Sequence, residues 1–271
     1  MLKSKAKQLS IIIVTYNDVN YLKHCIFSIY QKFANFPSWE IIIVNNDKNQ
    51  DIRQLPLDFS KIKLINHKKN IGFGLGINLG AKYAQGEFLL MLNPDTKILT
   101  ENVQKVIEEF NENSKIGIIG GGIIDKKNKS QEWSAGQEIS LYNLIRNNLG
   151  LNQSKNVWGS SEKIKCDWVT GTVLFIRKKL FNQINGFDKN FFMYFEDMDL
   201  CKRARLAEKE VILFPEFKIF HSGGQSYADK NLQKKHYYDS MEYYFQKHYH
   251  WINYWIVKLF RWTKDKFLRY N

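Results

Sequence analysis

The stretch LSIIIV, residues 9–14, followed by the polar turn TYND, residues 15–18, decides the fold class. A continuous apolar run rich in β-branched residues is typical of a strand that is buried on both faces of a parallel sheet. Apolar residues then recur at helical spacing from Val19 to Ile29, so a helix is expected to pack on this strand. The N-terminus therefore predicts the first βα unit of an α/β fold.

The same alternation continues along the chain. Further strands are predicted at residues 41–44, 62–65, 88–92, 116–124, 173–176 and 211–214, the last ended by Pro215. Between them we expect one helix through Asn78, one from an N-cap at Thr100, and one over residues 197–207. This βαβα order predicts an α/β fold of Rossmann-like type, with a mainly parallel central sheet flanked by helices.

The last part of the chain has a different character. In residues 229–271, aromatic and basic side chains dominate, and an apolar stripe flanked by tryptophans recurs at helical spacing, at Ile252, Ile256, Leu259, Thr263 and Phe267. We expect one domain over residues 1–228 and an amphipathic helical extension over 229–271. That extension suits a helix lying in a membrane interface, or alternatively a helix docked on the domain.

Net charge and targeting signals narrow the partners. The formal net charge is +13 and the sequence pI about 9.4, so anionic partners are expected, such as nucleotides or an acidic membrane surface. No nucleic-acid-binding signature is present, so nucleic acid is not expected as a partner. The basic N-terminus lacks the apolar core of a leader, and the three cysteines are scattered. We expect a cytoplasmic protein, peripheral on the inner face of the cell membrane.

Polar side chains follow the ends of several predicted strands: Thr15, Asn17, Asn45, Asp47, Asn93 and Asp95. Ligands of open α/β sheets bind outside the carboxyl ends of the strands, so these residues should converge on one site. Asp95 is a candidate ligand for a hard divalent cation, although Asn93-Pro94-Asp95 also suits a plain turn. His221 is a further candidate ligand or a structural histidine.

The segment FFMYFEDMD, residues 191–199, supplies the candidates for a general base. Asp197 follows a run of aromatic residues that can exclude water and raise its pKa, as a general base requires. Acids at this position also suit the first turn of a helix, and spacing alone leaves Glu196 and Asp199 open as the base. The glycine-rich turn at residues 72–76 either presents backbone amides to a nucleotide or allows tight packing.

These motifs together resemble family 2 glycosyltransferases of the GT-A fold, most closely the bacterial rhamnosyltransferase-like branch. The resemblance covers residues 9–225. Its matching stretches are IVTYN at 13–17, NIGFG at 70–74, LNPDT at 92–96, DWVTG at 167–171, GFD at 186–188, FFMYFEDMDL at 191–200, then Pro215 and HSGG at 221–224.

The resemblance implies an inverting, single-displacement sugar transfer with Mg²⁺ or Mn²⁺. Asp197 would be the base with Glu196 beside it, and Asp95 would bind the metal with His221 as a second ligand. The remaining residues of the implied nucleotide-sugar site are Thr15, Tyr16, Asn17, Asn45, Asp47, Asn70, Gly72, Asn78, Asn93, Trp168, Gly171 and Thr172. Relatives often carry Asp where this chain has Asn45, whose carbonyl can still accept from uracil or thymine N3–H.

The expected reaction moves a sugar from a nucleoside-diphosphate donor, first L-rhamnose from dTDP-rhamnose and next a UDP-hexose, to a lipid-linked or cell-surface polysaccharide acceptor. Two rival functions stay open. A sugar nucleotidyltransferase should carry a basic, glycine-rich loop after its first strand, and residues 15–18 are not one. A noncatalytic glycan- or membrane-binding protein on the same scaffold would not need both of the acidic clusters, at residues 93–95 and 196–199, and both are intact.

Overall fold

The computed structural model of the chain describes residues 7–17, 19–148, 154–223 and 229–267. Its strands are β1 (Leu9–Thr15), β2 (Trp39–Asn45), β3 (Ile62–Asn66), β4 (Phe88–Leu92), β5 (Thr96–Ile98), β6 (Ile116–Ile124), β7 (Ala135–Gly136), β8 (Ile164–Cys166), β9 (Trp168–Val169), β10 (Val173–Arg177) and β11 (Glu210–His221). Its helices are α1 (Val19–Lys32), α2 (Leu55–Asp58), α3 (Phe73–Tyr83), α4 (Val103–Glu112), α5 (Leu141–Asn148), α6 (Lys155–Trp158), α7 (Lys178–Gln183), α8 (Glu196–Leu206), α9 (Lys230–His248) and α10 (Trp251–Phe267).

One large sheet forms the centre of the molecule. Its strand order is β3-β2-β1-β4-β10-β6-β11-β5, with β8 paired to β11. Strands β3, β2, β1 and β4 are parallel, and β6 and β11 run in the same direction. Strand β10 lies antiparallel between β4 and β6. The α/β fold with a mainly parallel sheet is therefore confirmed, and the predicted strand at residues 173–176 enters it in the reverse direction.

The burial of β1 explains its unbroken apolar sequence. Ile12 and Val14 pack in a cluster on one face of the sheet, where α3 contributes Ile77. Ile11 and Ile13 pack in a second cluster on the other face, where α1 contributes its own apolar side chains. A strand with helices on both faces has no polar side, so the run carries no polar alternation.

Two predicted boundaries were wrong for the same reason. Strand β11 does not end at Pro215 but continues to His221, with a register shift between Phe214 and Lys218 around the proline. Thr100 is not the N-cap of the following helix, because its hydroxyl accepts the Lys218 N–H at 3.0 Å. That helix, α4, begins at Val103 instead. Pairing between segments far apart in the chain decided both positions.

The C-terminal segment forms two helices. Helix α9 packs on the domain through Met241, Tyr244 and Phe245, which belong to one of the two core clusters. Helix α10 buries Val257 but leaves Trp255 55% exposed. Among the residues described, no helix is both long enough and apolar enough to cross a membrane. The expected domain boundary at residue 228, and the side chains of residues 263 and 267 in the predicted stripe, lie outside the described set.

Candidate active site

The carboxyl ends of neighbouring strands meet at one edge of the sheet. Thr15, the last residue of β1, is in register with Asn45, the last residue of β2. Beyond the end of β4, the Asn93 N–H donates to the Thr172 carbonyl at 3.1 Å. Thr172 directly precedes β10, so the antiparallel strand brings the 170–172 turn to the same edge. The structure therefore places Thr15, Asn45 and Asn93 of the predicted set at this edge, and their binding of a common ligand stays a prediction.

Asp197 lies in the first turn of α8, against the 170–172 turn. Its Oδ2 accepts the Gly171 N–H at 2.9 Å, and its Oδ1 accepts the Met198 N–H at 2.8 Å. Burial raises the pKa of Asp197, while the backbone N–H donors of Gly171 and Met198 partly oppose the rise. The result is a fixed carboxylate with an elevated proton affinity, as proton abstraction requires.

Glu196 precedes Asp197 and is 6% exposed. Its Oε2 is buried and has no hydrogen-bond partner among the residues that the structure describes. Burial, followed by the charge of Asp197, raises the pKa of Glu196 well above its ordinary value. Two adjacent carboxyl groups with raised pKa values are a feature of functional sites more than of stable cores.

Asp199 has a different role. Its carboxylate is fully buried and is paired with Arg203, Lys247 and His248, each at 2.7 Å. Burial alone would raise the pKa of Asp199, but the His248 hydrogen bond and the Arg203 charge outweigh it and hold the pKa at about 2. A carboxylate enclosed by three basic side chains is a poor base. We therefore assign Asp199 a structural role, in which it joins α8 to α9. Asp197 and Glu196 remain as the candidates for the general base.

The turn before α8 is strained. Tyr194 and Phe195 have φ values of 69° and 62°, a left-handed conformation that is uncommon for aromatic residues. Helix α9 holds this turn, because the Ser240 hydroxyl donates to the Met193 carbonyl at 2.7 Å and Gln233 donates to the Tyr194 hydroxyl at 2.8 Å. Such strain persists where surrounding contacts impose it, and it is concentrated at functional sites.

Asp95 and His221 lie together beyond the end of β4 and at the end of β11. His221 Nε2 is 3.2 Å from Asp95 Oδ1, and the two side chains are 10% and 8% exposed. On the other side of the imidazole ring, Nδ1 is 2.8 Å from Gln131 Oε1. An imidazole held through its second nitrogen is the usual arrangement around a histidine that binds a metal.

The donor atoms at this pair fit a divalent cation. Within the described residues there is no cluster of three or more His, Cys, Asp or Glu side chains that would enclose a metal by themselves. Mg²⁺ commonly takes one or two protein ligands and completes its shell with substrate phosphates and water. Asp95 and His221 suit such a shared site rather than a closed structural one.

The glycine-rich turn packs tightly against the segment before α8. Gly72 has φ of +83°, and a Cβ there would lie 2.3 Å from the Phe192 carbonyl oxygen. The Gly72 N–H donates to Asn70 Oδ1 at 2.9 Å, and its carbonyl accepts from Asn46 Nδ2 at 3.0 Å. Close packing therefore explains Gly72 and Asn70, and their contact with a nucleotide stays a prediction.

Several residues of the predicted ligand site make hydrogen bonds to other parts of the protein. Both ends of the Asn78 amide bond the Phe187 backbone at 2.8 Å, so this amide is already engaged within the protein. The side-chain carbonyl oxygen of Asn45 accepts the Asp47 N–H at 3.0 Å, so one of its two lone pairs is already used within the protein. Trp168 is buried and donates to the Gln137 carbonyl at 2.9 Å.

Other predicted residues keep accessible or unsatisfied groups. Thr15 Oγ1 is buried with no hydrogen-bond partner within the described part of the chain. Tyr16 is 43% exposed, and Asn17 has a left-handed φ of 66°. Residue 18, in the same turn, lies outside the described residues. The end of β1 therefore offers one buried oxygen atom, Thr15 Oγ1, that has no partner among the described residues.

The sequence interpretation missed Asn46 and Gln131. Asn46 Oδ1 is buried without a partner among the described residues, while its Nδ2 is fixed on Gly72. A signal for Asn46 existed, since it follows β2 directly. Gln131 lies 90 positions before His221, and nothing local in the sequence links the two.

The fold is an α/β fold that carries polar and acidic residues at the carboxyl edge of a mainly parallel sheet, which is where ligands of open α/β sheets bind. The chain belongs to glycosyl transferase family 2, whose model matches residues 10–182. It is 28% identical over 202 residues to low-salt glycan biosynthesis hexosyltransferase Agl10 of Haloferax volcanii, over 73% of this chain and 61% of that protein. It is 27% identical over 222 residues to rhamnosyltransferase WbbL of Escherichia coli, over 78% of this chain and 82% of that one. The chain thus spans less than two thirds of the length of Agl10 and most of the length of WbbL.

Solved structures share the fold. Residues 1–349 of S. aureus TarS in complex with UDP superpose with a TM-score of 0.61 at 16% identity, over 87% of this chain and 63% of that one. GalNAc-T7 with UDP, GalNAc and Mn²⁺ gives a TM-score of 0.59 at 13% identity, over 81% of this chain and 44% of that one. These similarities confirm the GT-A type of fold.

Proposed function

We propose that the protein is an inverting glycosyltransferase that moves a sugar from a nucleoside-diphosphate donor to a hydroxyl of a glycan or lipid-linked glycan. The observation that carries the proposal is the Asp197 carboxylate, fixed by the Gly171 N–H and raised in pKa by burial. Family membership supports the same class of reaction.

In the proposed reaction, Asp197 takes the proton of the acceptor hydroxyl. The acceptor oxygen forms a bond to the anomeric carbon as the bond from that carbon to the diphosphate oxygen breaks. The nucleoside diphosphate leaves with the electron pair, and the configuration at the anomeric carbon is inverted. The backbone contact with Gly171 keeps the base in place during this step.

Asp95 and His221 would hold Mg²⁺ or Mn²⁺ at the donor diphosphate. When bound, such an ion neutralises charge on the leaving diphosphate. Gln131 fixes the orientation of the His221 ring. The structural neighbour GalNAc-T7 was solved with UDP and Mn²⁺ together, which supports this assignment.

We infer a pyrimidine nucleotide donor, first dTDP-rhamnose and next a UDP-hexose. Thr15 Oγ1 and Asn46 Oδ1 supply buried acceptor atoms, without partners among the described residues, and uracil or thymine N3–H is a matching donor. Similarity to WbbL and to dTDP-rhamnosyl transferase RfbF of Shigella flexneri supports rhamnose. Further ligand contacts would come from Tyr16, Asn17 and Thr172.

Helix α10 would attach the enzyme to the inner face of the cell membrane. Trp251, Trp255 and Ile256 are 64%, 55% and 42% exposed, and Leu259 is 61% exposed. Aromatic and aliphatic side chains on one helix beside lysines suit an interface rich in anionic lipid. A lipid-linked acceptor would lie at the same surface.

The donor assignment is tested by thermal unfolding with dTDP, UDP, GDP and CDP, each with and without Mn²⁺. A nucleotide at about a hundred times its dissociation constant adds about 2.7 kcal/mol, and each kcal/mol shifts the melting temperature by roughly 2–4 °C. We expect a Mn²⁺-dependent shift with dTDP or UDP in the wild type. Asp95→Ala should remove the dependence on Mn²⁺, whereas Glu101→Ala, on an exposed surface pair, should keep it.

The outcomes separate the rival functions. No shift with any nucleotide would favour a noncatalytic glycan- or membrane-binding protein. Release of pyrophosphate from a nucleoside triphosphate and a sugar phosphate would favour a sugar nucleotidyltransferase. A shift with GDP or CDP alone would contradict the inferred contact with a pyrimidine N3–H.

Membrane attachment has its own test. Sedimentation with vesicles of phosphatidylglycerol and phosphatidylethanolamine should capture the wild type, and a Trp255→Ser, Ile256→Ser double variant should bind markedly less. Phe27→Ser, at an exposed aromatic on α1, is the control and should bind like the wild type. Equal binding by the α10 variant and the wild type would show that α10 is not the anchor.

A further inference from the structure

Trp133 is exposed at the point where the chain enters a buried segment. Its side chain is 46% exposed, whereas Ser134 and Ala135, which follow it, are 3% and 0% exposed. Its indole is supported by Trp158, with the ring centroids 5.4 Å apart and the ring planes inclined by 39°. The result is an indole that is held in place and still presents ring surface to solvent.

The backbone at Trp133 is strained. Its φ of 59° lies in the left-handed region, which a bulky residue rarely adopts. Glycine would adopt this conformation without strain, so the turn itself gives no reason for a tryptophan. Strained non-glycine residues of this kind point to a functional side chain.

The segment around Trp133 links the two halves of the candidate site. Two residues before it, Gln131 Oε1 is 2.8 Å from His221 Nδ1. One residue after it, the Ser134 carbonyl accepts the Thr170 N–H at 2.9 Å. Thr170 precedes Gly171, whose N–H is bonded to Asp197. Since consecutive Cα atoms are about 3.8 Å apart, the backbone of Trp133 lies close to the contacts of both the candidate metal pair and the base.

We infer that Trp133 is the stacking platform for the acceptor sugar, against which one face of a pyranose ring packs before its hydroxyl meets Asp197. This inference rests on the proposed function. The C–H groups on one face of a pyranose carry partial positive charge, and the face of an indole is negative, so the two surfaces attract. Aromatic rings bury much area at little loss of side-chain freedom, which suits such a binding contact.

The experiment is saturation-transfer NMR on the full chain with methyl glycosides of glucose, galactose, N-acetylglucosamine and rhamnose as probes. We expect saturation of the ring C–H protons of at least one glycoside with the wild type. Trp133→Ala and Trp133→Gly should weaken its binding about tenfold, in line with the loss of one aromatic stacking contact. Trp133→Phe should keep binding within a few-fold, and Phe27→Ala should match the wild type.

Nucleotide-induced stabilisation, measured on the same samples, separates this inference from the proposed function. The Trp133→Gly variant tolerates the backbone conformation of this turn. If it loses glycoside binding but is still stabilised by dTDP or UDP, the result supports the platform. Glycoside binding that is unchanged in both truncated variants overturns it, as does the absence of binding by every probe to the wild type. A different result would be glycoside binding that depends on Trp133 in a protein that no nucleotide stabilises. It would refute the proposed donor function and leave the sugar platform standing.

Discussion

Replacing Asp199 by Asn tests whether this carboxylate is structural. The side chain is fully buried and joins α8 to α9 through Arg203, Lys247 and His248. Its pKa is about 2 in the folded protein, against an ordinary value of 3.8. A pKa lowered by this much corresponds to about 2 kcal/mol of folding free energy at neutral pH. Asn keeps the shape of the side chain but loses its charge. This stabilisation of about 2 kcal/mol should therefore be lost.

The expected result at pH 7 is a fall in melting temperature of roughly 4–8 °C, at about 2–4 °C per kcal/mol. A lowered folded pKa gives stability that is complete above the unfolded pKa and lost as pH falls through the folded pKa. The gap between wild type and variant should therefore be constant above about pH 5. It should shrink as the pH falls from 3.8 to about 2.

The assay is thermal unfolding across pH, with Asp239→Asn as the matched control. Asp239 also pairs with an arginine, Arg261, but its side chain is 47% exposed. Exposed pairs contribute about 0–1 kcal/mol, so this control should change little. An Asp199→Asn protein with unchanged melting temperature but lost sugar transfer would refute the structural role and return Asp199 to the candidate bases.

Three further predictions concern the base and its neighbours. Glu196→Gln should raise the melting temperature at pH 8 but not at pH 4. The reason is that a Glu196 pKa raised in the folded protein lowers its stability as the pH rises above 4.5. Equal melting temperatures of variant and wild type at pH 8 would contradict a destabilising buried carboxyl group. Gly171→Ala should lower the transfer rate at least about tenfold and leave nucleotide stabilisation intact. The new Cβ would lie 2.8 Å from the Phe73 ring, and it would therefore shift the residue-171 N–H that donates to the Asp197 carboxylate. Unchanged turnover would argue against this positioning role. The wild-type transfer rate should fall about tenfold per pH unit below a pKa that lies above 3.8, the ordinary value for Asp197; an acid limb at or below that value would show that burial does not tune the base.

Much of the fold could be predicted because local pattern and tertiary structure agree. The run at residues 9–14 is apolar on both sides because both faces of β1 are covered, and that pattern identified the sheet and its carboxyl edge. The helix after Gly72 was also expected, and the structure places α3 there. The motif at residues 191–199 pointed to carboxylates that lie in the first turn of α8, and their catalytic roles stay predictions.

The parts that the sequence did not reveal depend on distant partners. Asn78 looks like a ligand residue until Phe187 is seen to occupy both ends of its amide. Asp199 and Asp197 are equivalent in spacing, and the basic side chains from α9 distinguish them. Trp133 lies in a polar stretch with no periodicity, and pairing of β7 with β9 brings its segment toward Asp197. Contacts over such separations leave no local signal.

The most direct test of the central claim is the transfer rate of Asp197→Asn under single-turnover conditions. The donor is whichever nucleotide sugar corresponds to the stabilising nucleotide, and the acceptor is a membrane glycolipid extract. Asp58→Asn, at an exposed residue of α2, is the matched control. Removal of a general base costs about 10²–10⁴ in rate, so we predict a loss of that size with nucleotide stabilisation near that of the wild type. A variant that transfers sugar at the wild-type rate would contradict the assignment of Asp197 as the base.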